Sequence, residues 1–210
     1  IYGLSGLLLE DDKNQHDREF LELANQAGRG GLDLIGELLD HKQGDKSSRE
    51  IFARRERISP EQFLHDTMRM VKHRADEKQI RLDVNCTCTQ LVYIDVERMR
   101  RAITNLLVNA IKFSPRGSSV EVKCRLEANR IVFEVRDFGI GIPADHLPRL
   151  FESFTTVKRP GTEGEKPFGL GLSITRQIAE EHQGVVVVES TEGVGSVFRM
   201  VVPATLPENN

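Results

Sequence analysis

Two hydrophobic rhythms divide the chain. Between about residues 16 and 40, Phe20, Ala24, Ala27, Gly31, Leu34 and Leu38 recur at gaps of four and three, the spacing of a helical seam. The stretch IYGLSGLLLE (1–10) reads as the last turns of another amphipathic helix, and the polar DDKNQ separates the two. This pattern predicts an antiparallel helical hairpin with too little core to stand alone. It would pair with a second copy in a four-helix bundle or fold back on the rest of the chain. The second helix carries Gly28, Gly30, Gly31 and Gly36, each costing roughly 0.5–1 kcal/mol relative to Ala in a helix interior. Either close packing offsets that cost or the helix is soft. The hydrophilic KQGDKSSRE (42–50) marks a connector. The expected division is a hairpin domain over 1–46 and a second domain over 47–210.

Beyond the connector, period-two and helical patterns mix. FARRERIS holds a short strand. A helix is predicted from Ser59 to about Glu77, with Ser59 as N-cap, Pro60 at the first helical position and Gln62 completing a capping box. IRLDVNC and LVYI read as strands, and Asp95 precedes a long helix that reaches Phe113. SSVEVKCRLE and RIVFEVRD alternate around a short turn at AN, which predicts a hairpin. GLSITRQIAEEHQG is a helix closed by Gly184. VVVVES and GSVFRMVVP are two further strands separated by TEGV. The expected fold class is α+β: a two-layer α/β sandwich with one mostly antiparallel sheet under one layer of helices.

Composition narrows the picture. With 210 residues, 39% hydrophobic and 29% charged, a packed core is feasible. A net charge of −3 gives no general attraction to nucleic acid. No apolar run approaches the roughly 18–20 residues that span a bilayer, so any membrane contact would come through regions preceding Ile1. The chain begins with Ile rather than Met and is read as a fragment of something longer. Cys86, Cys88 and Cys124 are an odd number without a signal peptide, which indicates a reducing, cytoplasmic compartment. Cys86 and Cys88 form a lone CxC, expected to be two same-face strand residues rather than a metal site.

One helix carries unusual chemistry. In NLLVNAIKFS (105–114), Asn105, Asn109 and Lys112 share a face of an otherwise apolar helix. Two amide oxygens and an ammonium suit hard Mg²⁺ and phosphate. This stretch resembles the N box of sensor histidine kinases. DFGIGIP (137–143) resembles their first glycine box, FESF (151–154) their phenylalanine box and GLGLSI (169–174) their second glycine box. Looser forms occur in a wider superfamily of ATP-binding domains that includes gyrase, a heat-shock chaperone and MutL. The resemblance covers about residues 50–205 well and the hairpin more weakly. No strand lysine with an HRD loop, as in eukaryotic-type kinases, and no Walker A motif accompanies DFG.

The resemblance implies a Bergerat-type ATP-binding fold and a set of roles. Asn109 would contact Mg²⁺, with Asn105 supporting the metal or the phosphates, and Lys112 would add charge toward the phosphates. Phe113 would cover the base and Asp137 read the adenine amino group. Gly139 and Gly141 would let the backbone approach the base without a Cβ clash. Phe154, Gly169, Leu170 and Gly171 complete the nucleotide set, the last three at a helix N-terminus suited to phosphate. ESFTTVKRPGTEGEKPF reads as a mobile lid rather than a packed element. Its Lys158, Arg159 and Lys166 would approach phosphates on closure or remain in solvent. Pro167 stands where relatives commonly carry a further glycine.

The family's phosphorylated histidine lies in an H box resembling HELRTP, which this chain lacks. Matching the pattern places that acceptor about nine residues before Ile1. His16 and His41 lack the H-box context, and His65, His73, His146 and His182 sit on polar positions that suggest structural or surface roles. Gyrase-like ATPases carry a glutamate where Asn105 stands. An amide takes no proton at neutral pH, so water activation is disfavoured and phosphoryl transfer favoured. The resemblance therefore implies an Mg²⁺-ATP-dependent histidine kinase region that dimerises through its hairpin and passes phosphoryl groups to a response-regulator receiver domain. The alternatives are a nucleotide-gated pseudokinase, or a hydrolytic ATPase or serine kinase of the same superfamily.

Overall fold

The computed structural model describes residues 54–152, 161–163 and 171–205, all within one compact unit, Ser47–Asn210. The predicted hairpin over 1–46, with His16 and His41, lies outside the described residues. The elements run β1 (Glu56–Ile58), α1 (Pro60–Glu77), β2 (Arg81–Cys86), β3 (Val92–Ile94), α2 (Val96–Phe113), β4 (Ser119–Glu127), β5 (Arg130–Asp137), a 3₁₀ turn at Leu147–Arg149, α3 (Gly171–Glu181), β6 (Val185–Thr191) and β7 (Gly195–Pro203).

Five strands form one sheet in the order β2-β4-β5-β7-β6, and β1 pairs with β3 in a separate two-stranded ribbon. The large sheet is antiparallel except where β2 runs parallel to β4. The chain between those two strands passes through β3 and α2, the crossover that parallel neighbours require. The three helices pack beside one another on one face, with α2 between α1 and α3. The result is the two-layer sandwich that the patterning predicts.

Local chemistry explains most boundaries. Asp95 caps α2, accepting from the Arg98 backbone N–H at 3.1 Å. Ser59 caps α1 through Gln62 N–H, but the reciprocal half of the capping box is absent. The Gln62 side chain turns forward to Asp66 at 3.0 Å, the next helical turn offering a carboxylate. The β4–β5 turn has positive φ at both Ala128 and Asn129, the I′ geometry whose twist matches a two-residue hairpin. At the end of α3, Gln183 and not Gly184 takes the left-handed conformation. Gly184 donates to the Ala179 carbonyl at 2.8 Å, completing a Schellman motif. It must be glycine for another reason: a Cβ there would lie 2.2 Å from the Val201 carbonyl oxygen.

The core lies between the layers. On α2, Met99, Ala102, Ile103, Leu106, Leu107, Ala110 and Ile111 are buried, and they meet Val120, Val122, Ile131, Phe133 and Val135 of the sheet. Full burial of each large side chain contributes about 1.5–3 kcal/mol. The opposite sheet face carries a charged network, in which Glu134 bonds both Arg199 and Arg125 and Arg199 also reaches Glu189, beside the exposed Val185 and Val187.

Candidate functional site

Because the apolar stripe of α2 faces the sheet, its other face is left with Asn105, Asn109 and Lys112, all half-buried. The Asn105 Nδ2 donates to the Gly171 carbonyl at 3.2 Å, where α3 begins. That bond orients the amide, because an oxygen could not face a carbonyl. Thr175 donates to the same carbonyl at 2.8 Å. Asn105 therefore joins the N-box-like helix to the first residue of α3. The Lys112 ammonium lies 5.2 Å from the centre of the Phe113 ring.

Asp137 ends β5 with its carboxylate buried. Its Oδ1 accepts from the Gly139 N–H at 2.9 Å and the Ser196 N–H at 3.3 Å. Burial pushes its pKa above the ordinary value, while those bonds and the Ser196 hydroxyl pull it back. Ser196 is itself bonded to Ser190 at 3.0 Å, and the Ser190 hydroxyl accepts from the Ile142 N–H at 2.8 Å. A relay thus runs from the glycine loop through two serines to Asp137. Sequence reasoning missed both serines, because they sit on β6 and β7, over fifty residues from Asp137, and only strand pairing brings them to it. The pairing Asp137↔Ser196 was the available signal, had the register been known.

The glycine loop is tight for reasons internal to the protein. A Cβ on Gly139 would lie 2.2 Å from the Phe113 carbonyl oxygen, and one on Gly141 2.0 Å from that of Thr191. Gly141 also has φ +62. The Ile140 N–H donates to Phe113 O at 3.1 Å, and Ile140 O accepts from Gly193 at 2.9 Å. The loop is thus clamped between the end of α2 and the β6–β7 turn. Backbone crowding against protein accounts for both glycines.

The end of α2 is also where Gly161–Glu163 docks. Lys112 O accepts from Lys78 Nζ at 2.8 Å and from the Thr162 N–H and hydroxyl, each at 3.2 Å. Thr162 Oγ1 is also 2.8 Å from Ser114 O, and Arg116 pairs with Glu163 at 3.0 Å. The expectation that the whole ESFTTVKRPGTEGEKPF segment is unpacked is therefore corrected for these three residues. The terminal carbonyls of a helix need donors, and Thr162 and Lys78 supply them. Phe151 packs against the core. Phe154, Lys158, Arg159, Lys166, Pro167, Gly169 and Leu170 lie outside the described residues.

A buried carboxylate at a strand end, a clamped glycine loop and an amide-bearing helix thus meet in one place. Residues 94–206, more than half of the chain, match the family described as histidine kinase-, DNA gyrase B-, and HSP90-like ATPase. The chain belongs to this family. Within it, this is a catalytic ATP-binding domain of the sensor histidine kinase kind. An uncharacterised sensor-like histidine kinase of Rhizobium meliloti is 32% identical over 193 residues, covering 91% of this chain and 36% of that protein. The circadian input-output histidine kinase CikA of Thermosynechococcus vestitus is 32% identical over 210 residues, 97% of this chain and 28% of that protein. The chain thus spans about a third of these relatives' lengths. Full-length ShkA in complex with AMPPNP superposes with a TM-score of 0.74 at 25% identity, covering 97% of this chain and 42% of that one.

Two other readings of the ATPase domain change. His182 is not on an ordinary polar position: it is buried, its Nε2 accepts from the Asp95 N–H at 3.1 Å, and its Nδ1 lies 2.8 Å from Ile178 O. The Ile178 carbonyl requires Nδ1 to carry the proton and the Asp95 N–H requires Nε2 to be bare, so the ring is neutral and ties the α3 C-terminus to the α2 N-cap. Glu181 beside it pairs with Arg98. Cys86 and Cys88 are not same-face strand residues, because β2 ends at Cys86. Among the described residues, no group of three His, Cys, Asp or Glu side chains could hold a metal, and no helix is long and apolar enough to cross a membrane.

Proposed function

We propose that this domain binds Mg²⁺-ATP and transfers its γ-phosphoryl group to a histidine on a helical hairpin, for relay to an aspartate of a response-regulator receiver domain. The observation that carries the reading is the pairing of Asp137 with the α2 face. A buried carboxylate has Oδ1 occupied by backbone donors, and the glycine loop that follows it is bonded to the last residue of the helix bearing Asn105, Asn109 and Lys112.

Each residue has a task. Asp137 accepts from the adenine amino group, which selects adenine over guanine. Phe113 covers the base. Asn109, with Asn105 in support, would hold Mg²⁺, and neutral amide oxygens fit a hard ion shared with phosphate oxygens. Bound Mg²⁺ supplies neutralisation of the phosphate charge. The bond from Asn105 Nδ2 to Gly171 leaves its oxygen turned away from α3. Lys112 adds positive charge, and Phe154, Gly169, Leu170 and Gly171 complete the phosphate and nucleotide contacts. Asn105 cannot act as a general base, so water is not activated and transfer depends on positioning the acceptor. We infer dimerisation through a hairpin over residues 1–46, and a cytoplasmic location, where ATP and receiver domains are found.

The test is to incubate the purified chain with γ-labelled ATP, Mg²⁺ and a separate histidine-bearing hairpin domain. Acid-labile label on the hairpin histidine is expected. ATP binding without any transfer would instead favour a nucleotide-gated binding module, and transfer to serine a serine kinase. The chain incubated without that hairpin should stay unlabelled, and label on His16 or His41 would overturn the assignment of an external acceptor.

A further inference from the structure

The three cysteines take no part in the site above, yet the fold gathers them. Cys86 is the last residue of edge strand β2, and its register partner on the parallel neighbour β4 is Cys124. Adjacent strands lie about 4.8 Å apart, inside the roughly 4.4–6.8 Å between Cα atoms that a disulfide spans. Both side chains face the helical layer: Cys124 is buried in the core, and Cys86 is half-buried against it. The Thr87 N–H donates to Cys124 O at 2.8 Å and its hydroxyl lies 3.3 Å from the same oxygen, so the backbone holds the pair in register.

The sulfurs are neighbours. Burial pushes the Cys124 thiol well above the usual range, and a hydrogen bond with Cys86 and the proximity of Cys88 push it further. Cys88 is differently placed. It is buried beyond the end of β2, and its sulfur is directed to Gln90 O at 3.5 Å.

We propose that Cys86 and Cys124 are an oxidisable dithiol, in which a hydroperoxide reacts at Cys86 and Cys124 closes a disulfide stapling β2 to β4. In the first step the peroxide O–O bond breaks. One oxygen joins the Cys86 sulfur as a sulfenic acid, and the other leaves as water when hydrogen peroxide is the oxidant. In the second, the Cys124 sulfur bonds to the Cys86 sulfur, and the sulfenic hydroxyl leaves as water with the Cys124 proton. Two thiols lose two electrons in total, and the peroxide gains them. Cys86 reacts first because it alone of the pair is reached by solvent. The protonated, buried Cys124 makes closure the slower step, so the Cys86 sulfenic acid accumulates and closure quickens with rising pH. The staple lies four residues along β4 from Val120, the partner of Asp137, or about 13 Å at strand spacing.

The experiment treats the reduced chain with hydrogen peroxide under conditions that leave its circular dichroism unchanged, then maps peptides without reduction. A Cys86–Cys124 linked peptide is expected, reversed by dithiothreitol, retained in Cys88→Ser and absent in Cys86→Ser. Early dimedone trapping should label Cys86. The thermal midpoint of the oxidised chain should rise and return on reduction. A Cys86–Cys88 link, links only between molecules, or Cys86 carried to sulfinic acid with Cys124 still reduced at alkaline pH would each overturn the proposal. The wild-type map decides the matter even if a serine variant fails to fold.

Discussion

At the scale of single residues, the site depends on groups whose partners are already fixed. Asp137→Asn keeps an acceptor for Gly139 and Ser196 but removes the charge and can turn an N–H₂ toward the adenine amino group. ATP affinity should fall at least about tenfold, ~1.4 kcal/mol, by isothermal titration calorimetry, and unchanged affinity would remove the adenine assignment. Asn109→Ala should abolish the Mg²⁺ dependence of nucleotide binding; if that dependence persists, the ion is held elsewhere. Gly139→Ala probes the crowding around the loop. Its Cβ would meet Phe113 O at 2.2 Å, a backbone atom that cannot swing aside. Both the thermal midpoint and ATP affinity should drop, and an unchanged midpoint would show that the loop is looser than its contacts imply. The residue types at these positions were legible in the sequence. The reason for the glycines was only half legible, because the neighbours they accommodate come from α2 and from the β6–β7 turn.

At the scale of elements, α2 is the piece that the sequence described best. Its buried positions recur at three and four, so the polar face follows from the apolar one. Leu107→Ala, at a fully buried position, should cost about 2–5 kcal/mol in urea unfolding, whereas Asn109→Ala on the opposite face should change stability little. The junction of α2 with α3 was less legible. His182 lies eighty-seven residues from Asp95, and nothing local marks it as buried. Burial lowers its pKa, and the bond to Ile178 O opposes that shift without reversing it. Folding therefore favours the neutral ring. Stability should be complete above its ordinary pKa of about 6.5 and be lost as pH falls below that value toward the lower folded pKa. Urea unfolding at stepped pH should show this slope, and His182→Gln should flatten it; an equal slope in the variant would place the titration on another group.

For the whole molecule, the mixture of strand and helix patterns already required two layers, because each amphipathic element must cover its apolar side. The sheet face away from the described helices carries the charged network of Glu134, Arg125, Arg199 and Glu189. What the sequence determined by itself was local: helical stripes, alternating strands, the cap at Ser59, and a set of amides, glycines and an aspartate in family order. These depend on neighbours a few residues away, where chain geometry alone fixes who faces whom. Strand order and register were decided only by tertiary structure. They set β2 parallel to β4, brought Ser190 and Ser196 to Asp137, buried His182 against Asp95 and placed Cys86 opposite Cys124. Such pairings join residues tens of positions apart, and they are chosen by which apolar faces close a common core, an outcome that no local pattern encodes.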